Sequence, residues 1–256
     1  MPINTFTFNG VNSAAKGLRI RAQQTFNAPK YDNRTITVPG RDGLLMQPNG
    51  RFENLTVAYE VFLVASDLAD MRTKVAAVES WLLSAPEGYH ELADTYNTGM
   101  LRRATFYGPL DVGVTLKKLG TATLSFSCYP FRFDAATYST VSTVASGGTL
   151  TNPYAFASKP IISLTHSGNT TGEKTFTIAN DQSTKVWTVN FGETGAYTVV
   201  IDSENMTVTK VAGNTKTNYS ANLAGDGFPE LAPGVNTITY DTGVSEVKVT
   251  LRWRTL

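Results

Sequence analysis

GVSEVKVTLRWRTL, Gly243 to Leu256, alternates along most of its length. Val247, Val249, Leu251 and Trp253 take one face, and Lys248, Thr250, Arg252 and Arg254 take the other. A period of two is the signature of a strand with one buried face. A face this apolar has to be covered, so the last residues are expected to be structural. Trimming past Trp253 is expected to damage the fold.

The same texture extends backwards. KPIISLTHS, KTFTIAND, KVWTVNF, AYTVVID, MTVTKV and NTITY are short and β-branched, with turn residues between them about every 8–12 positions. With SEVKVTLRW they predict seven or eight strands in about 100 residues, the spacing of a β-sandwich. Ser203-Glu204-Asn205 reads as a hairpin loop, and Ala232-Pro233-Gly234 as a turn that brings a final hairpin onto this sandwich.

The first half is also strand-like, in TFTFNG, GLRIRAQ, RTITVPG, RRATFYG and GTATLSFSCYPF. TVAYEVFLVA (Thr56 to Ala65) looks apolar on both faces, as a strand between two layers would be. One segment breaks the period. In SDLADMRTKVAAVESWLLSAPEG, Leu68, Met71, Val75, Val78 and Leu82 recur at three and four, which predicts a helix over about 67–84. Ser66 is placed to cap it, Asp67 and Asp70 suit its positive first turn, and Pro86-Glu87-Gly88 ends it.

Between Phe133 and Lys159 the chain turns small, polar and rich in Gly and Pro. The expected organisation is therefore an N-terminal domain over 1–137, a linker over 138–158 and a C-terminal sandwich over 159–256.

The chain has 256 residues, of which 41% are hydrophobic and only 17% charged. That is enough apolar material for two cores. Twenty-two basic against 21 acidic side chains leave a net charge of +1, which gives no general attraction for a polyanion. The basic pairs Arg19/Arg21, Arg102/Arg103, Lys117/Lys118 and Arg252/Arg254 read as solvated faces. Cys128 stands alone, so no internal disulfide or cysteine metal cluster can form. It alternates with Leu124 and Phe126 and reads as a small core residue. The start MPINTFTF is not expected to act as a secretory signal, and no apolar run is long enough for a membrane-spanning helix.

Catalytic patterns are missing or broken. His90 begins H-E-x-x-H, but Asp94 stands where the second histidine belongs, and His166 is the only other histidine. GNTTGEKT (Gly168 to Thr175) fails as a phosphate loop because Glu173 separates the glycine from the lysine. No G-x-S-x-G elbow occurs. A glycosidase would need two of Glu173, Asp181, Glu193, Asp202, Asp226 and Glu230, most of them in turn-like settings. Sugar binding without catalysis is the alternative function, a C-terminal module reading host cell-wall glycans through Trp187, Tyr197, Tyr219 or Trp253. Trp187 and Trp253 nevertheless look like inward core residues. No cofactor or metal site is expected, and the chain is not read as an enzyme.

Several segments together resemble a known family. They are ITVPGRDGLL (Ile36 to Leu45), the strand and single helix after it, LSFSCYPFRF (Leu124 to Phe133) and the ending FPELAPGVNTITYDTGVSEVKVTLRWRTL. In that order they resemble the distal tail (Dit) proteins of long, flexible-tailed bacteriophages. The resemblance implies a mainly β fold: an N-terminal β-sandwich with one α-helix and a β-hairpin, then a galectin-like β-sandwich. It implies a hexameric ring, with stacking of rings as a further option, placed at the distal tail tip of the virion after synthesis in the bacterial host cytoplasm. The partners implied are the chain itself, the tail tube protein, the tail-tip protein and the tape-measure protein. A receptor-binding or baseplate protein is a further option, with no specific nucleic acid and no membrane. None of this needs an active site.

A closed ring repeats one head-to-tail contact, so each subunit carries two different complementary patches. The loop Pro39-Gly40-Arg41-Asp42-Gly43 is the candidate for part of one. Pro and Gly set a sharp turn, and Arg41 beside Asp42 offers one charge of each sign. A plain hairpin loop is the rival reading.

Overall fold

The computed structural model describes residues 4–21, 27–168 and 171–256. The chain divides into two compact units, one formed by residues up to Arg132 with Leu256, the other by Phe133–Thr255.

In the first unit an antiparallel path runs Val11–Asn12, Phe6–Phe8, His90–Asp94, Met100–Thr105, Leu119–Asp134, Leu55–Val64, Leu18–Ile20. Gly113–Thr115 pairs with the start of Leu119–Asp134. Ile20 N also donates to Asn4 O at 3.0 Å, which brings the far end of the path back to its beginning. The central pairing sets Leu124 opposite Tyr59, Phe126 opposite Val57 and Cys128 opposite Leu55. Directly opposed residues share a face, and all six are buried. The alternation of Ala122, Leu124, Phe126 and Cys128 thus marks the core face, with Ala122 only partly buried.

The helix spans Leu68–Leu83 and buries Met71, Val78, Trp81 and Leu82. Trp81 stacks on Phe6 at 5.7 Å, Phe6 stacks on Tyr59 at 5.2 Å, and Phe126 meets both Phe6 and Phe8. Each such ring removes enough apolar surface from water to contribute about 1.5–3 kcal/mol. Gly120 permits the close approach of helix to sheet. A Cβ there would lie 3.1 Å from Met71 Sδ and 3.0 Å from Val112.

Two expectations for this unit change. Asp67, not Ser66, caps the helix: its carboxylate accepts from Asp70 N at 2.9 Å, while Asp70 accepts from Ser66 N. A carboxylate one residue nearer the first turn reaches the open N–H groups and matches their partial positive charge. The strand Leu55–Val64 is also not covered on both sides. Leu55, Val57, Tyr59, Val61 and Leu63 are buried, but Thr56, Ala58, Glu60 and Val64 are exposed and Phe62 is half-buried. Apolar content does not by itself report burial on both faces.

The second unit is a sandwich of a six-stranded and a five-stranded sheet. The first has the order Val141–Val144, Val244–Thr250, Ile161–His166, Thr198–Asp202, Thr207–Ala212, Thr215–Asn218. The second has the order Gly148–Asn152, Gly234–Tyr240, Gly172–Ala179, Thr184–Phe191, Leu223–Gly225. Ile162, Leu164, Val199, Ile201, Val247 and Val249 of one sheet meet Phe176, Ile178, Trp187, Val189, Phe191 and Ile238 of the other in one core. Residues 138–158 are not a bare linker. They carry Val141–Val144 and Gly148–Asn152, each an edge strand of one sheet.

The chain ending also differs from the expected hairpin. Gly234–Tyr240 and Val244–Thr250 lie in opposite sheets, so Asp241-Thr242-Gly243 crosses the sandwich instead of folding back on one sheet. Alternation alone reports a buried face, not which sheet supplies the partner. The regular strand stops at Thr250, although Leu251 and Trp253 remain buried. Arg252 takes a left-handed φ of 48°, and the face pattern breaks after it. Arg252 donates to Asp202 at 2.9 Å, and buried Arg254 donates to Ala157 O at 2.6 Å. These two arginines therefore do not form a solvated face.

Candidate assembly surface

Tyr31–Thr37 and Leu44–Phe52 form a two-stranded antiparallel sheet that pairs with no other described strand. This arm is anchored at its base. Tyr31 meets Phe52 edge-on at 5.0 Å, and Phe52 meets Phe131 at 5.7 Å. Glu53 N donates to Lys30 O at 2.8 Å. Asp32 accepts from Arg51 Nε at 2.8 Å and from Asn49 at 3.0 Å. The Arg51 hydrogen bond, helped by Asn49, holds the Asp32 carboxyl below its ordinary range.

Beyond its base the arm is exposed on both faces. The register sets Ile36 opposite Leu45 on one face, and Met46 opposite Thr35 and Leu44 opposite Thr37 on the other. Met46 is 67% exposed, and Leu44, Leu45 and Ile36 are exposed as well. An isolated two-stranded hairpin is marginal in water, and one with apolar side chains on both faces has surface that calls for a partner. The loop is plain in the sequence, and the strands' exposure is less so. The signal was present in ITVPGRDGLLM, whose apolar residues follow no single face.

Pro39, Gly40, Arg41, Asp42 and Gly43 all lie at the exposed tip of this arm. Gly40 and Gly43 adopt φ values of 78° and 77°, which an L side chain rarely takes, and Arg41 N donates to Val38 O at 3.2 Å. Neither Arg41 nor Asp42 has an ion-pair partner among the described residues.

The residues considered for chemistry are placed elsewhere and apart. HELAD is a strand, His90–Asp94, the next element after the helix. His90 Nε2 lies 2.9 Å from Ala85 O, and its ring meets Phe8 edge-on. His166 is buried, stacked on Phe191 at 4.7 Å, with Nδ1 3.0 Å from Gly195 O. Among the described residues no three His, Cys, Asp or Glu side chains gather as a metal site. Burial pushes the Cys128 thiol up to about 12, so it stays protonated. The loop around Gly168 to Thr175 includes Asn169 and Thr170, which lie outside the described residues.

Asp202, one of the acids named above, and Asp241 act as local braces. Asp202 accepts from Glu204 N and Asn205 N within its turn. Asp241 accepts from both the backbone N and the hydroxyl of Thr175, which together lower its pKa. The aromatic residues considered for sugar stacking are committed inwards. Trp187, Tyr197 and Trp253 are buried, and Trp187 donates to Gly227 O at 2.8 Å. The Tyr219 hydroxyl donates to Asn190 O at 2.8 Å, and its ring meets Tyr197 edge-on.

Comparison with known proteins agrees with this picture. A family described as "Siphovirus-type tail component, C-terminal domain" matches residues 155–255. No curated protein sequence matches the chain. Among solved structures, the SPP1 Dit (gp 19.1) protein, described as a paradigm of hub adsorption apparatus in Gram-positive infecting phages, is 14% identical. All of both chains is covered, with a TM-score of 0.69. The phage P2 baseplate in its activated conformation is similar at 8% identity over 97% of this chain and 98% of that one. Its TM-score is 0.53 with calcium and 0.54 with strontium.

Proposed function

We propose, from the match of residues 155–255 to the siphovirus-type tail components, that this chain closes into a hexameric ring at the distal end of a phage tail. It is a Dit-like structural component of a phage tail hub or baseplate, and that family is not enzymatic. The ring would join the tail tube to the tail-tip protein, with the tape-measure protein ending against it and a receptor-binding or baseplate protein attached around it.

The observation that carries this reading is the arm Tyr31–Phe52, rigid at its base and apolar on both faces beyond it. A chain whose work was confined to itself would have no use for it. A closed ring needs one projecting patch and one receiving patch on every copy, each contact burying more than about 1,000 Å² in total. The Pro39–Gly43 tip belongs to the projecting one.

Light scattering and negative-stain imaging of the full chain test the proposal. Six-fold rings whose population rises with concentration are expected. A monomer at every concentration and salt level, alone and after addition of the tube protein, would falsify it.

A further inference from the structure

We infer that the arm of one copy seats its tip in an apolar groove beside the helix of a second copy of this chain. This rests on the ring proposed above and supplies its receiving patch. The groove has a volume of about 430 Å³ and lies between the helix and the segment before Leu119–Asp134. Leu68, Met71, Val75, Leu110, Val112 and Val114 line it. Leu68 and Val114 are exposed along it, and Leu116, two residues further on, is 89% exposed. It is large enough for a few side chains and too small for a whole hairpin, so the tip and the apolar side chains next to it are what fits.

Three features select the arm as occupant. The first is chemistry: Leu44, Leu45, Met46 and Ile36 are exposed apolar groups of the first unit with no cover of their own. The second is charge. Arg72 and Glu79 stand on the groove wall, seven residues apart on one helix face, and both are exposed. Neither has an ion-pair partner among the described residues, and the same holds for Arg41 and Asp42 at the tip. Two opposite charges on the wall face two opposite charges on the tip, pairing Asp42 with Arg72 and Arg41 with Glu79. The third is symmetry: arm and groove are different surfaces, as a head-to-tail contact that closes into a ring requires.

Disulfide trapping tests this cleanly, because the native Cys128 is buried. Met46→Cys and Ala76→Cys are made as separate variants of the full chain and mixed under mild oxidation. The mixture should give a covalent dimer that neither variant gives alone, and a chain carrying both should give a ladder ending at the closed ring. Thr149→Cys replaces Ala76→Cys as the control and should give no dimer. In parallel, Glu79→Arg should weaken self-association about tenfold, and Arg41→Glu in the same chain should restore it.

If rings form but the mixed variants do not cross-link and the charge exchange rescues nothing, the arm docks elsewhere and the ring reading survives. If the unmodified chain stays monomeric in every condition, the ring reading fails and takes this contact with it.

Discussion

Arg51 Nε donates to Asp32 at 2.8 Å across the base of the arm, one residue in from the Tyr31–Phe52 ring contact. A charge-assisted bond beside an aromatic contact holds the arm's two strands together at their base. The Asp32 carboxyl is held below its ordinary value of 3.8, first by that bond and then by Asn49. A depressed carboxyl contributes its stabilisation above the unfolded pKa and loses it as pH falls through the folded one. NMR titration of the Asp32 carboxyl should therefore give a midpoint below 3.8, and Arg51→Ala should move it up towards that value. An unmoved midpoint would show that the pair does not persist in solution.

Tyr59 donates to Asp94 at 2.7 Å from within the first core, and Asp94 also accepts from Tyr96 N and Asn97 N. Burial raises the Tyr59 pKa strongly, so it remains a neutral donor through the physiological range. Tyr59→Phe keeps the ring stack on Phe6 and removes only the hydroxyl. A loss of about 1.5–3 kcal/mol is expected from chemical denaturation, the range for a hydrogen bond to a charged group.

Gly225 has a φ of 150° and lies directly over Trp187. A Cβ there would collide with Trp187 Cδ1 and stand 2.9 Å from Val186 O. Trp187 cannot yield easily, because it is buried, stacked on Phe176 and bonded to Gly227 O. Gly225→Ala should cost about 1–3 kcal/mol through overpacking, seen as a lower denaturation midpoint at unchanged slope. An unshifted midpoint would mean that the strand Leu223–Gly225 can move away at no cost.

Trp253 fills the second core although it lies beyond the last long strand. Trp253→Ala should destabilise by about 3–5 kcal/mol, and removal of Leu251–Leu256 should leave residues 133–250 open to limited proteolysis. Resistance equal to that of the full chain would remove the structural role assigned to the ending.

The periods in the sequence carried much of this architecture. Alternation at two in KVWTVNF, SEVKVTLRW and LSFSCYPF put Trp187, Val247, Val249, Phe126 and Cys128 inside. The spacing of Met71, Val78 and Leu82 gave the helix its inward stripe. A side chain's direction follows from local backbone geometry, so it can be read without knowing the neighbour. The order of the motifs carried the resemblance to the distal tail proteins.

What needed tertiary structure was every choice of partner. Gly234–Tyr240 and Val244–Thr250 are adjacent in sequence yet belong to opposite sheets, and alternation does not say which sheet supplies the partner. TVAYEVFLVA is apolar, but among the described residues no layer buries its outer face, where Thr56, Ala58, Glu60 and Val64 stay exposed. The arm's two uncovered faces and the groove beside the helix join residues distant in sequence. Local chemistry determined which way each side chain points. Only the folded chain decided what, if anything, lies against it.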